Sequence, residues 1–317
     1  MVLDYADGGN INNYSYININ WYWFEKLDVL NNIIKGLKKI HENKMVHRDF
    51  HTGNILLSLM TTDGRSGNVF SRTYISDMGL CGEVGNIDEK KIYGVMPYVS
   101  PEVLRGKPYT QAADIYSFGM IMYFIATKKQ PFANRAHDNI LVLNICNGIR
   151  PEINEEEVPK CYVDLMKRCW DSDPNNRPSA IEIYELIELF CNSCSYKMGD
   201  NKDKEIEKQF KEAEEYRKAN YLSIGNSQLT NHHPQAYYTS RLLNPFTKDL
   251  PKYDDINNKN SVNIVDSMEI STEDESLNPF TKDLSKYDNI NNNSVEIFDF
   301  TKISTEDEIK NKQSEEK

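Results

Sequence analysis

Residues 45–57 read MVHRDFHTGNILL. Asp49 and Asn54 stand five positions apart, and the apolar run Ile55, Leu56 and Leu57 follows at once. A polar loop anchored in this way can point a carboxylate at a substrate hydroxyl while the amide oxygen of Asn54 holds a metal ion. Taken alone, a His-Arg-Asp triplet is mostly a surface charge cluster. The weight of the reading comes from what lies on either side.

Upstream, Trp23 to Glu42 carries Leu27, Leu30, Ile34 and Leu37 at three- and four-residue spacing, which predicts a helix with one buried face. Downstream, Val69 to Ile75 reads as a short strand, and TTDGRSGN before it has the Gly and Asp of a hairpin turn. ISDMGL then supplies Asp77, a second acidic group for the same metal, although an isolated Asp-x-Gly is usually a turn. The blocks GVMPYVSPEVL (94–104), DIYSFGM (114–120) and CWDSDPNNRPS (169–179) follow. Asp114 to Ala126 is almost wholly apolar and predicts a helix buried on all sides. Two amphipathic helices are expected around Val163 to Trp170, where Cys169 and Trp170 read as core residues, and Ser179 to Phe190.

In this order the blocks resemble the catalytic loop, metal loop, P+1 loop, central helix and closing helices of eukaryotic protein kinases. CWDSDPNNRP resembles the tyrosine-kinase-like branch in particular. The resemblance runs from residue 1 to about residue 192 and implies a mainly α fold with a few short β hairpins, the C-terminal lobe of a kinase. It implies that Asp49 accepts or orients the proton of a substrate hydroxyl, and that Asn54 and Asp77 hold Mg2+. Glu102 would pair with Arg177 as a structural clamp, Asp114 would hold the backbone of the catalytic loop, and Leu56 would floor the adenine site. MVLDYADGG resembles the hinge, making Leu3 the gatekeeper and setting backbone groups of Asp4 and Ala6 at the adenine edge. The implied cofactors are ATP and Mg2+, and the implied partner is a protein substrate.

The departures from the family are specific. Nothing before the hinge matches a glycine-rich phosphate loop, a strand lysine or its partner glutamate. Losing even one preorganised electrostatic donor typically costs roughly a hundred- to thousandfold in rate. The expectation is a kinase-like lobe without its N-terminal half, carrying no useful activity alone, or a non-catalytic scaffold or protein-binding module. Its uncovered top would expose apolar residues near Leu3, Leu56 and Met78 and call for a covering partner. His51 stands where many serine/threonine kinases have Lys, Met78 replaces the usual Phe, and Val95 takes a position usually held by Thr or Pro. Acceptor type is therefore open, with Ser/Thr favoured by the branch resemblance. Between Gly79 and Val99 the hydroxyl side chains are Tyr93 and Tyr98, which makes Tyr93 the leading acceptor for any activation-loop phosphorylation. Arg48 could meet such a phosphate or form a local salt bridge. From Asn54 to Asp77 the chain exceeds most kinases by roughly ten residues, expected as a surface hairpin.

The net charge of -11 argues against a nucleic-acid or anionic-membrane binder, because phosphates reward basic stripes. No run of about eighteen apolar residues and no secretory leader pattern appear, so a cytoplasmic protein is the default, with a nuclear one left open. The six cysteines lack a framework or zinc spacing and read as reduced thiols. The chain is expected to divide into a lobe at 1–195, a charged solvated helix within 196–221, and an Asn- and Ser-rich disordered tail at 222–317. That tail repeats itself: LNPFTKDL at Leu243 to Leu250 returns at Leu277 to Leu284, KYDDIN returns as KYDNIN, and STEDE occurs at Ser271 and Ser304. These units lack the apolar pattern of a stacking repeat, although they offer a third reading in which the tail is the working part.

Overall fold

The computed structural model describes residues 6–12, 21–61, 69–83, 91–194, 203–220, 232–248 and 250. Helix α1 (Trp23–Glu42) turns Leu27, Leu30, Ile33, Ile34, Leu37 and Ile40 inward. Its first turn is closed by Glu25, whose carboxylate accepts from the Tyr22 backbone N–H at 2.7 Å. Basic Lys39 and His41 in its last turn suit the negative end of the helix dipole. Helix α3 (Gln111–Thr127) is buried all round from Ala113 to Ile125. A helix with no polar face must sit at the centre, and α3 does, packed between α1 and α5 (Lys160–Cys169). Gly119 makes that approach close: a Cβ there would lie 3.0 Å from Cys169 Cβ. Tyr162 donates its hydroxyl to Met122 O at 2.7 Å across the same interface.

Between these helices the chain runs in short strand pairs. β1 (Met45–Val46) leads into the polar loop, and β2 (Ile55–Thr61) pairs antiparallel with β3 (Val69–Ile75) from Ile55↔Ile75 to Thr61↔Val69. The connecting TTDGRSGN turn lies mostly outside the described residues. Gly8, Gly9 and Ile11 bond the backbone of β2, so 6–12 flanks the hairpin. β4 (Gly82–Glu83) returns to pair with β1, and β5 (Tyr93–Gly94) precedes the buried block Val95–Val99. Helices α2 (Pro101–Leu104), α4 (Asn139–Cys146) and α6 (Ala180–Cys194) complete the lobe. The architecture is mainly helical with short strand pairs. Among the described residues no helix is long and apolar enough to cross a membrane, and all six cysteines are free thiols.

Two segments differ from the expectation. Helix α7 (Lys204–Ala219) forms, yet it is not a solvated helix: Phe210 and Ala213 are buried. The Phe210 ring stands 5.6 Å from Trp23 and 5.7 Å from Phe190, centroid to centroid. One aromatic anchor is worth about 1.5–3 kcal/mol of burial, enough to dock a helix whose mean composition is polar. Within the expected tail, 232–248 also lies on the lobe, with β6 (Arg241–Leu242) paired antiparallel to β5 and α8 (Asn244–Thr247) against α4. Leu243 is fully buried and Tyr238 and Phe246 pack on the core, apolar anchors that the polar average of the tail conceals. The remaining tail, including the second LNPFTKDL, lies outside the described residues.

Candidate active site

The polar loop between β1 and β2 is held from below by α3. Asp114, 1 % exposed, accepts from the backbone N–H of His47 (Oδ2, 2.8 Å) and of Arg48 (Oδ1, 3.0 Å), and from His41 Nε2 at 3.0 Å. Arg48 has a φ of 73°, a left-handed conformation that costs a non-glycine residue about 1–2 kcal/mol. The charge-assisted bond from Asp114 to its amide holds that conformation in place. The Arg48 guanidinium donates to the carbonyls of Leu80 (3.2 Å) and Glu83 (2.6 Å), so among the described residues its partners are backbone oxygens rather than a carboxylate. His47 is fully buried, donates its Nε2–H to Ser76 O at 3.1 Å, and burial lowers its pKa against the opposing field of Asp114.

On this platform Asp49 is 5 % exposed. Burial alone would raise its carboxyl pKa, but the contact and charge of His51 and the hydrogen bond from Ser240 outweigh it and hold the group below its ordinary value. His51 Nδ1 accepts from Gly53 N–H at 3.0 Å, and its Nε2 lies 3.6 Å from Asp49 Oδ1. Asn54 donates its Nδ2 to Asp49 O at 2.9 Å, and its Oδ1 takes no hydrogen bond from a described residue. Asp77 lies exposed at the end of β3 with φ 59° and ψ 62°. Asp tolerates this left-handed turn better than most residues. Asp77 with its exposed carboxylate and Asn54 with its amide oxygen are tied through Ser76, whose N–H and hydroxyl both donate to Asn54 O, and they are the residues here that could serve a cation. Such a set fits Mg2+, which keeps waters and takes most other ligands from substrate phosphates. Among the described residues no group of three or more His, Cys, Asp or Glu could hold a metal by itself.

Around the site, Gly94 has a φ of 146°, and a Cβ there would meet Val99 Cγ2 at 2.8 Å with Asp49 Oδ1 beyond it at 3.7 Å. Only glycine fits that position next to the carboxylate. Tyr98 joins Thr52 Oγ1 (3.0 Å) to Gln130 Oε1 (2.9 Å) and ties the buried block to the loop. Further down, Arg177 meets Glu102 through two contacts and donates to the carbonyls of Ala112 and Asp171. Leu56 and Met78 are half-buried, Leu80 is 38 % exposed, and Ala6 is buried. Leu3 and Asp4 lie outside the described residues. Tyr93 is 40 % exposed, and its backbone pairs with Leu242.

Sequence reasoning did not reach the group that touches Asp49. Ser240 donates its hydroxyl to Asp49 Oδ2 at 2.5 Å, with His51 Nε2 at 3.4 Å from the hydroxyl oxygen. The segment carrying it is bonded along its length: His233 N to Ala133 O, His137 N to Gln235 O, Arg241 to His137 O, and Leu243 N to Ile92 O. The signal available in sequence was the aromatic and apolar cluster YYTSRLLNPF inside a polar tail.

A family model described as protein kinase domain matches residues 1–187. A protein of Dictyostelium discoideum named as a probable serine/threonine-protein kinase is 30% identical over 210 residues, covering 61% of this chain and 13% of that protein. The dual specificity protein kinase shkD of the same organism is 29% identical over 183 residues, 56% of this chain and 23% of shkD. The probable serine/threonine-protein kinase roco8, also from Dictyostelium discoideum, is 32% identical over 197 residues, 59% of this chain and 10% of roco8. The chain therefore corresponds to a quarter or less of the length of each of these relatives.

Proposed function

Because the chain belongs to the protein kinase domain family, we propose that its site performs ATP-dependent phosphoryl transfer to protein hydroxyls, with Ser/Thr favoured over Tyr. The observation that carries the reading is the Asp49 carboxylate, buried and in contact with a hydroxyl. In this reading Asp49 orients the acceptor O–H and receives its proton, and His51 steers the acceptor oxygen. Asn54 and Asp77 hold Mg2+, which neutralises phosphate charge when bound. Glu102, Arg177 and Asp114 keep the loop and the block before α2 in register. Leu56 floors the adenine site, and the roles of Leu3, Asp4 and Ala6 at the hinge rest on the family alone. Membership of the tyrosine-kinase-like branch rests on CWDSDPNNRP.

Within these 317 residues nothing matches the glycine-rich loop or the strand lysine, so transfer by this chain alone is proposed to be negligible. A second reading, a non-catalytic scaffold or binding module, is favoured by one observation: the position in front of Asp49 is already filled by Ser240. The test is transfer from labelled Mg·ATP to a generic protein acceptor, with Asp49→Asn in parallel and the phosphoamino acids identified. Little or no transfer is expected. Rapid transfer abolished in Asp49→Asn would remove the crippled part of the proposal, and transfer confined to tyrosine would remove the Ser/Thr preference.

A further inference from the structure

The segment 232–248 meets the lobe where an acceptor peptide has to lie to bring a hydroxyl to Asp49. β6 adds to β5 as a strand, with Arg241 opposite Gly94 and Leu242 opposite Tyr93. Strand addition supplies backbone affinity while side-chain pockets set the register. Leu243 is fully buried beyond the pair, and its N–H donates to Ile92 O at 2.8 Å, while Ile92 N–H donates to Asn244 Oδ1 at 2.9 Å. On the other side Tyr238 donates to Pro131 O at 2.9 Å and stacks edge-on against His137 at 4.9 Å. Arg241 lies between the rings of Tyr237 and Phe246, 4.9 and 4.7 Å from their centroids, and donates to His137 O at 2.7 Å. The segment is clamped at both ends, and between the clamps Ser240 delivers a hydroxyl to Asp49 at 2.5 Å, the length of a charge-assisted bond.

We propose that residues 232–248 are an intramolecular substrate mimic that fills the acceptor groove with Ser240 at the acceptor position, and that negative charge at this position releases it. The inference rests on the reading above in one respect, that Asp49 is the group that receives an acceptor hydroxyl. Release follows from local chemistry: an anion in place of the Ser240 hydroxyl faces a buried carboxylate at hydrogen-bond distance, which disfavours both charges. Phosphorylation of Ser240 would create such an anion. The duplicated copy carries the contrast in sequence. It repeats LNPFTKDL, yet where the first copy is preceded by Ser240, Arg241 and Leu242, the second is preceded by Asp274, Glu275 and Ser276. The second copy therefore keeps the Leu-Asn-Pro-Phe anchor, replaces Tyr237, Tyr238 and Arg241 by Ser271, Thr272 and Glu275, and has a carboxylate where the first has the Ser240 hydroxyl, so the first copy is the occupant.

The test is a disulfide trap in the full chain. Tyr93→Cys with Leu242→Cys faces two thiols across β5 and β6, while Tyr93→Cys with Ser276→Cys places the second thiol at the equivalent position of the other copy. Mild oxidation and peptide mapping are expected to trap the first pair in most molecules and the second pair in few. Adding Ser240→Asp to the first pair is expected to lower the trapped fraction roughly tenfold or more, and adding Asp49→Asn to that variant to restore it. Equal trapping of the two pairs would overturn the docking, and trapping unaffected by Ser240→Asp would overturn the acceptor register. Trapping needs neither nucleotide nor turnover. Failure to transfer phosphate therefore bears on the kinase reading, and failure to trap bears on this one.

Discussion

Arg177 closes both terminal nitrogens on the carboxylate of Glu102, at 2.7 and 2.8 Å, with almost no solvent reaching either side chain. Paired and further bonded to Ala112 O and Asp171 O, the guanidinium is satisfied, but either partner alone would be an uncompensated buried charge. Glu102→Ala is therefore expected to cost about 3–5 kcal/mol, and Glu102→Leu with Arg177→Met much less than the sum of the single changes. Urea unfolding of the three variants measures this. A near-zero effect of Glu102→Ala would show that the pair is not buried in solution.

Asp114 takes the amide hydrogens of His47 and Arg48, and Arg48 keeps a left-handed backbone above it. Asp114→Ala would leave two buried N–H groups unpaired, at about 1–3 kcal/mol each. The loop carrying Asp49 should loosen with it. Hydrogen exchange at His47 and Arg48 should accelerate more than exchange in α5, and uniform acceleration across the lobe would contradict the local account.

Phe210 decides whether α7 belongs to the lobe. Phe210→Ala is expected to cost about 3–5 kcal/mol at a well-packed site and to free α7 before the rest unfolds. Circular dichroism followed against limited proteolysis near α7 reads both effects. Wild-type stability in the variant would return α7 to the solvated helix its composition suggests.

Docking of 232–248 should depend on pH through His137. Burial lowers its pKa to about 4, opposed by its hydrogen bond to the Tyr237 backbone, with Arg241 lowering it further and Asp138 raising it. Undocked, the ring would return toward its ordinary value near 6.5. The undocked form therefore binds the extra proton, so docking is fully favoured above about pH 6.5 and weakens as pH falls toward 4. The protection factor of the Leu243 amide should follow that window. A factor that rose on acidification would reverse the sign and refute it.

The positions of α1, β3 and α3 were legible because each carries a periodicity that only one environment satisfies: a stripe, a short β-branched run, and an apolar stretch without a polar face. The ordered blocks around Asp49, Asn54 and Asp77 pointed to one family because their spacing is a property of local chain. The resemblance also anticipated the distant contacts Glu102 with Arg177 and Asp114 with the loop, but not those without a counterpart in the ordered blocks. Arg48 finds carbonyls at Leu80 and Glu83, and Ser240 reaches Asp49 across almost the whole lobe. Phe210 and Leu243 were each a single anchor in a polar stretch, and averaging over a window removes single anchors.

The proposed function makes this lobe a phosphoryl-transfer site with Asp77 and Asn54 as its proposed cation donors. Calorimetric titration of the full chain with a non-hydrolysable ATP analogue, with Mg2+ or with chelator, addresses it most directly. The account predicts binding that Mg2+ strengthens roughly tenfold or more, with the gain lost in Asp77→Ala. Binding indifferent to Mg2+, or a Mg2+ gain that survives in Asp77→Ala, would contradict it.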